Sequence, residues 1–414
     1  MRVRRAPAAA ALLSAASLAA PVRAQHVEGR GSLTAAASYN QTITDAQYPT
    51  SLTAAGPSVS FSPEVALLCE TPRTNSTLTY AFTLNMPFAA RLDASAAPLS
   101  YGNRFGYSGR YELGELSSLA FDLALNHAPL RALAVGADAS QTQLDAVPAG
   151  AASMLGISAQ ERFTRRLSRA TSLTQTNAFT FTDPIDPILV LTRTVAVQHS
   201  LSLDRTFTVD TLGAQIAVLH TYFTAGEAAE GVVIEPRAQI AGTLSLSWSR
   251  QLTESLSGSL ALGATYLVSP GQVSPGVLQP TGSLSLSYRL EPAVITLAYA
   301  RQAAPNLAAG SVSFTDSGTL RFSVPLGQTG LQAAGSGGVS HMDPLAGGAG
   351  VPTNVVLGDA SLAYRPRALP TMSLGLRGQV QRQTGGPDAL GGFTRVSGSF
   401  DVTFSYPSAE QATP

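Results

Sequence analysis

The chain has 414 residues, of which 44% are hydrophobic and only 13% are charged, and its 26 basic residues balance its 26 acidic ones. This neutral balance indicates no nucleic-acid partner, because such partners are bound by basic surfaces. The single cysteine, Cys69, excludes an intrachain disulfide and a multi-thiolate metal site.

The first 24 residues are predicted to be a cleaved signal peptide. Arg2, Arg4 and Arg5 form a basic region, an Ala/Leu-rich run follows over residues 6–20, and small residues surround Ala24. The alternative is a membrane-anchor helix, but the apolar run is too short for one and ends at a small-residue cleavage site. After residue 24, no stretch reaches about 18 consecutive apolar residues, so no transmembrane helix is expected.

The rest of the chain contains short segments in which apolar and polar residues alternate with a period of two. This is the pattern of β-strands that have one apolar and one polar face. In residues 77–84, for example, Leu, Tyr and Phe occupy the even positions while Thr and Ala occupy the odd ones. In chain order, the predicted strands lie at residues 31–42, 59–67, 77–84, 101–110, 118–126, 157–164, 172–181, 195–203, 212–219, 243–248, 256–266, 283–288, 294–299, 319–324, a Gly-rich segment ending at 339, 356–364, 372–382 and 399–406.

The predicted connections between these strands alternate between short and long. The short ones lie near residues 70–75, 112–115, 165–169, 204–206, 251–254, 289–292, 325–329 and 365–370. The long ones lie near residues 43–57, 87–99, 127–153, 183–189, 223–234, 269–277, 303–310, 341–353 and 384–392. Eight short and nine long connections join about eighteen strands, and an even number with this alternation is typical of transmembrane β-barrels. Sixteen strands is the alternative if the pair at 157–181 is misassigned.

Other all-β architectures fit the sequence less well. A propeller is expected to repeat at a fixed blade period with recurring aromatic or Trp-Asp signatures, and the chain contains one Trp and no such repeat. A soluble sandwich also has many short strands, but it does not explain so apolar and weakly charged an exported chain. A β-solenoid has much shorter regular repeats.

Two segments carry a resemblance to a known class of proteins. Residues 281–302, TGSLSLSYRLEPAVITLAYARQ, form a hairpin pattern with a charged turn, and residues 397–406, SGSFDVTFSY, place alternating apolar residues before a terminal aromatic. With the signal peptide, these segments resemble a Gram-negative outer-membrane β-barrel of the porin-like kind. The resemblance covers nearly all of the mature chain, and it is architectural.

The resemblance implies a single-domain, all-β, antiparallel up-and-down barrel over residues 25–406, located in the cell outer membrane and in contact with its lipids. It also implies that the barrel assembly machinery recognises the last strand, in which Phe400, Val402, Phe404 and Tyr406 share one face. Residues 407–414 form a short tail, whereas many members of the class end on the aromatic residue itself.

Six charged residues are candidates to face the barrel lumen, because each occupies the polar side of a predicted strand. They are Arg104, Arg110, Asp122, Arg321, Asp359 and Arg377. A basic side chain on the lipid face at mid-membrane costs about 2–4 kcal/mol, so these residues are expected to face water instead. Two interpretations remain open: a mixed-charge constriction that biases solute passage, or ordinary solvated wall residues.

No motif in the sequence predicts a catalytic, nucleotide-binding or metal-binding site. The chain lacks H-E-x-x-H, Walker, G-x-S-x-G and calcium-loop patterns, and its five histidines show no ligand spacing. Parity places His199 on the apolar face and His220 lies at a strand end, so we expect no enzyme, cofactor or metal. The expected function is a channel for passive diffusion of small hydrophilic solutes. The alternative is a closed or loop-plugged barrel with a structural, adhesion or export-complex role, in which the 127–153 connection is the candidate plug.

Overall fold

A computed structural model of the chain describes residues 26–44, 55–87, 100–129, 153–184, 193–224, 236–270, 276–306, 311–327, 330–343, 352–385 and 392–406. The predicted signal peptide at 1–24 and the predicted tail at 407–414 lie outside the described residues, as does most of the 127–153 connection. Among the described residues, no helix is long and apolar enough to cross a membrane.

The described residues form eighteen β-strands. Their bounds are β1 His26–Thr44, β2 Ala55–Thr71, β3 Thr74–Pro87, β4 Ser100–Gly114, β5 Ser117–Pro129, β6 Ser153–Arg166, β7 Thr171–Pro184, β8 Thr194–Thr206, β9 Asp210–Phe223, β10 Arg237–Gln251, β11 Leu256–Val268, β12 Val277–Leu290, β13 Ala293–Asn306, β14 Ser311–Leu326, β15 Leu331–Asp343, β16 Thr353–Tyr364, β17 Met372–Gly385 and β18 Phe393–Tyr406. Most of them extend beyond the predicted ranges, because strand pairing continues past the point where the apolar alternation stops.

The strands pair antiparallel in chain order, and β1 also pairs with β18, so the sheet closes on itself. Leu33 in β1, for example, lies opposite Phe404 of β18 and Pro63 of β2. The predicted all-β up-and-down barrel of about eighteen strands is confirmed. The sixteen-strand alternative is wrong, because β6 and β7 keep continuous register from Met154–Pro184 to Arg166–Ser172.

The connections between strands lie at the two ends of the barrel, with the short ones at one end and the long ones at the other. Eight short ones, at 72–73, 115–116, 167–170, 207–209, 252–255, 291–292, 327–330 and 365–371, define what we call the short-turn end. The other nine connections meet at the opposite end, which we call the long-connection end. One of these nine is brief, since β13 and β14 are joined by residues 307–310 alone where a connection over 303–310 was predicted.

The outward face of the wall is apolar. In β10, Leu244 and Leu246 are 60% and 65% exposed, while Thr243 and Ser245 between and beside them point to the other side. Six of the nine exposed tyrosines among the described residues lie near strand ends: Tyr101, Tyr222 and Tyr266 near the long-connection end, and Tyr288, Tyr364 and Tyr406 near the short-turn end. Tyr39, Tyr80 and Tyr299 lie farther from the ends of their strands.

Small hydroxyl side chains line much of the opposite face and bond to each other across strands. The Oγ1 atoms of Thr34 and Thr403 lie 2.8 Å apart, and those of Thr243 and Thr265 lie 2.7 Å apart. Cross-strand pairs of this kind contribute about 0.2–1 kcal/mol each. The wall is therefore stabilised by its closed ladder of backbone bonds and by such pairs, and its small inner side chains leave space between the described residues of the interior.

Candidate functional site

One cavity of about 630 Å³ lies inside the barrel and is lined by residues of nine consecutive strands, β5 to β13. Its lining follows the period of two: Thr194, Ala196 and Gln198 contribute from β8, and Gln215 and Ala217 contribute from β9. This pattern identifies the inner face of each strand. Because directly paired residues of neighbouring strands lie on the same side of a sheet, the register extends the assignment around the barrel.

The β13–β14 hairpin leaves the wall near the long-connection end. β12 pairs with β13 only as far as Gly282–Arg301, whereas β13 stays paired with β14 as far as Asn306–Ser311. Pro280, just beyond the last β12–β13 pair, has no N–H to donate to β13. On its other side, β14 stays paired with β15 as far as Phe314–Asp343. The part of the hairpin beyond these last pairs, residues 302–306 and 311–313, is called the hairpin tip below.

The hairpin tip packs against the inner face of β9, β10 and β11. Val312 forms a buried apolar cluster with Phe223, Ala241 and Leu267, in which Val312 and Phe223 are 1% and 0% exposed. The Val312 N–H donates to Gln239 Oε1 at 2.5 Å, and Gln239 Nε2 donates to Ser269 Oγ at 3.0 Å. The tip is therefore held inside the barrel by apolar burial and by one buried amide side chain.

Arg301 occupies the point at which the two strands separate. Its Nε donates to the Pro280 carbonyl oxygen at 3.2 Å, which supplies a donor that the interrupted ladder no longer provides. Its Nη1 donates to Asp316 Oδ2 at 2.5 Å, and Tyr299 Oη donates to Asp316 Oδ1 at 2.6 Å. Arg301 thus links β12 to the base of the tip on both β13 and β14.

Close packing of the interior concentrates at the long-connection end. Met154, Gln383 and Phe393 are each 1% exposed, and each lies within three residues of the end of its strand at that side. The hairpin tip enters from the same end. The most deeply buried side chains of the described interior therefore lie at this end, beside the cavity.

Three of the predicted charged residues lie on the inner face of β4 and β5. Arg104 pairs directly with Asn126, which lines the cavity, and alternation places Arg110 and Asp122 on the same face. Arg110 Nε donates to Glu112 Oε1 at 2.9 Å. Both partners of this ion pair are well exposed, so its contribution to stability is small.

The other three lie on the inner face of β14, β16 and β17. Register connects Arg321 to Ser336 of β15 and Ser336 to Asp359 of β16. Ser336 Oγ donates a hydrogen bond to Asp359, and Arg377 Nη2 lies 4.0 Å from Asp359 Oδ2. The six predicted residues therefore do not form one ring but two groups, one on β4–β5 and one on β14–β17.

The two histidines considered as catalytic candidates lie on the outer face. His199 Nδ1 is 2.9 Å from Asn177 Oδ1, and Asn177 Nδ2 donates to Glu161 Oε2 at 3.5 Å. These three residues are in direct register on β6, β7 and β8 and are called the outer polar row below. The neighbours of His199 on the same face of β8 are Val197 and Leu201, which offer no nucleophile. Among the described residues, no group of three potential metal ligands occurs.

Sequence reasoning missed the hairpin tip, Gln239 and Arg301. The signals that could have indicated them are Pro280 and Pro305, which interrupt donors in β12 and β13, and the short connection that follows. A strand pair that ends in a brief turn at the long-connection side and carries prolines beside it is free to leave the wall.

No family model matches the chain, and no curated protein matches it closely enough to count as a relative. Solved structures with a similar course of the chain include Pseudomonas aeruginosa OccK2 (OpdF) in complex with glucuronate, with 13% identity, a TM-score of 0.49 and coverage of 92% of this chain and 98% of that one. Pseudomonas aeruginosa OpdK with vanillate has 10% identity, a TM-score of 0.47 and coverage of 92% and 99%. Acinetobacter baumannii OccAB3 has 11% identity, a TM-score of 0.46 and coverage of 92% and 100%.

Proposed function

We propose that this chain is an outer-membrane channel for the passive diffusion of small hydrophilic solutes. The observation that carries the proposal is the inner wall: a closed eighteen-stranded barrel encloses hydroxyl, amide and charged side chains around a cavity instead of an apolar core. A barrel that is apolar outside and polar inside suits lipid on one side and water on the other. Barrels of 16–18 strands are wide enough for an aqueous channel.

The outer face supports the location. An apolar band with tyrosines towards both ends matches the aromatic girdles that such barrels place at the two membrane interfaces. Export through the predicted signal peptide at 1–24 brings the chain to the outer membrane. The last strand presents Phe400, Phe404 and Tyr406 on its outer face, and we assign it as the element that the barrel assembly machinery recognises.

The six inner-face charges, four basic and two acidic, bias the passage of charged solutes. Asp359 lies beside Arg377, and Asp122 lies on the strand next to the one that carries Arg104 and Arg110. Each aspartate offsets part of the positive field of the arginines in its own group. This role of the charged residues depends on the proposed channel function, so the conductance experiment below tests both.

Planar-bilayer conductance of the refolded protein tests this function. Stable stepwise openings are the expected result, with a heat-dependent shift in gel mobility as the control for folding. A heat-modifiable, well-folded barrel that never conducts would overturn the channel and leave the second candidate.

That second candidate is a closed or loop-plugged barrel with a structural, adhesion or export-complex role, and the packing of the hairpin tip favours it. Two deletions separate the candidates: one removes 304–313, and the other removes the predicted plug within 127–153. If the tip alone constricts the lumen, only the first deletion raises conductance. A silent protein that conducts after the second deletion would make the 127–153 connection the plug.

We assign no enzymatic activity to the barrel. His199 and His220 lie on the outer face, away from the cavity. Alanine at either position is expected to leave conductance unchanged. Phospholipase or protease activity that disappears in the His199→Ala variant would overturn this assignment.

A further inference from the structure

The cavity beside the hairpin tip has an uncharged lining. Its polar residues carry hydroxyl or carboxamide groups, and none of the described lining residues is Asp, Glu, Arg, Lys or His. The six charged residues described above lie elsewhere on the inner face of β4–β5 and β14–β17, and β6 adds Arg162 and Arg166 nearer its short-turn end. Among the described lining residues, a solute in this cavity therefore meets no charged side chain.

Those neutral groups are arranged in neighbouring rows. Thr243, Thr265 and Thr281 lie side by side on β10, β11 and β12, with Oγ1–Oγ1 distances of 2.7 Å and 3.5 Å. Gln198 and Gln215 add two carboxamides from β8 and β9. Hydroxyls donate and accept, and carboxamides do both from separate atoms, so the surface can match a ligand whose groups also do both.

Apolar side chains complete the lining between these rows. Ala196, Ala217, Leu219 and Ala241 come from the wall, and Ala303 and Pro305 come from the hairpin tip. A surface that mixes hydroxyls, carboxamides and small apolar groups suits a compact molecule with hydroxyls around a carbon ring or chain. Cavities of about 300–1,000 Å³ accommodate molecules of this size.

The same lining is unfavourable for binding a charged solute. An ion that loses water needs a counter-charge or several strong partners, and burial without them is costly. On β5 to β13, the strands that line the cavity, the charged residues of the inner face are Asp122, Arg162, Arg166, Asp204, Arg237 and Arg289, and none of the six is a lining residue of the cavity.

We infer that this cavity is a binding site for uncharged polyhydroxylated solutes, the chemical class of small sugars and polyols. The inference rests on the proposed channel function and narrows it to one class of solute. It assigns Gln198 and Gln215 as specificity-determining residues, and the hairpin tip contributes another part of the lining.

Two readouts on the same proteoliposomes test the inference: potassium chloride conductance for the channel, and solute entry by liposome swelling for the site. The probes are D-glucose and D-glucuronate, which differ by one carboxylate. Wild-type protein is expected to admit glucose at least three times faster than glucuronate. The Gln198→Ala/Gln215→Ala variant is expected to reduce this ratio at least twofold while conductance changes little.

The matched control is Gln332→Ala, which removes an inner-face carboxamide on β15 outside the cavity. It is expected to keep the wild-type ratio. Glucuronate entry equal to or faster than glucose entry, or an unchanged ratio in the double variant, would overturn the inference and leave the channel intact. Absence of conductance in well-folded protein would overturn the channel itself.

Discussion

Arg301 and Asp316 form an ion pair at the base of the hairpin tip, with Nη1 of the arginine 2.5 Å from Oδ2 of the carboxylate. The two residues face each other in the β13–β14 register, one pair beyond the position where Ala300 meets Ser317. Since Arg301 also bonds to the Pro280 carbonyl oxygen, the pair connects three strands where the wall divides. This arrangement determines how firmly the tip is held inside the barrel.

Replacement of Arg301 by Ala is expected to loosen the hairpin tip. The change removes the Asp316 ion pair and the bond to Pro280, and hydrogen bonds to charged groups contribute about 1.5–3 kcal/mol each before solvent screening reduces this. Arg301 and Asp316 are 26% and 22% exposed, so the screened loss is expected near the lower value. Single-channel recordings should show larger openings and more current noise.

The control for this change is Arg250→Ala, which removes an exposed arginine whose Nη1 lies 3.8 Å from Asp210 near the short-turn end. It is expected to conduct like the wild type. If both variants show the same conductance and noise as the wild type, Arg301 does not hold the tip.

Replacement of Gln239 by Leu is expected to weaken the packing of the hairpin tip against β10 without unfolding the barrel. Leucine keeps the bulk of the side chain but leaves the Val312 N–H buried without its acceptor, which costs about 1–3 kcal/mol. Amide exchange followed by mass spectrometry should show roughly 5- to 140-fold faster exchange in peptides covering 311–316, because each 1.4 kcal/mol is tenfold. Gln251→Leu, on the same face of β10 near the short turns, is the matched control and should leave exchange at 311–316 unchanged.

The strands of the wall were predictable from the sequence because, in each strand, the alternation of apolar and polar residues shows which face contacts lipid. In residues 77–84 the alternation of large apolar residues with Thr and Ala fixes both the strand and its faces, and the neighbouring strands repeat it. The 157–181 pair showed a weaker pattern because polar residues such as Glu161 and Asn177 interrupt its outer face. The six charged residues followed from the same alternation.

The interior arrangement was not predictable in the same way. The hydrogen bond that holds the hairpin tip joins Val312 of β14 to Gln239 of β10, which are separated by 73 positions in the sequence and by three strands of the wall. Local periodicity contains no information about which inner-face residues meet across a lumen. The prolines at 280 and 305 indicate where a ladder is interrupted, but not the direction in which the freed segment bends.

Neutralisation of Asp359 and of Arg377 is expected to shift ion selectivity in opposite directions. The two charges lie 4.0 Å apart on the inner face, so removal of one exposes the field of the other. Asp359→Asn should favour anions and Arg377→Gln should favour cations, each by roughly two- to fivefold in permeability ratio, as about 0.4–1 kcal/mol from one screened charge predicts.

Reversal potentials in a potassium chloride gradient measure these ratios. Glu291→Gln, in the exposed turn between β12 and β13, is the control and should leave the reversal potential unchanged. A shift of the same sign in both inner-face variants would contradict the assignment of this pair to the permeation path.

The outer polar row offers a test of what covers the barrel surface at mid-strand. Glu161 lies between Phe163 and Ala159 on the outer face of β6, and its described partner is Asn177 at 3.5 Å. A carboxylate that faces lipid at mid-membrane is expected to cost about 1–2 kcal/mol, less than a basic residue there. Glu161→Leu should therefore raise the free energy of unfolding by this amount in lipid vesicles, measured by denaturant titration.

Arg165→Leu, near the short turn, is the control and should change the free energy of unfolding by about 0–1 kcal/mol because charges near the interface cost little. Destabilisation by Glu161→Leu would contradict this expectation and would mean that polar partners, beginning with Asn177, make the carboxylate favourable at that depth.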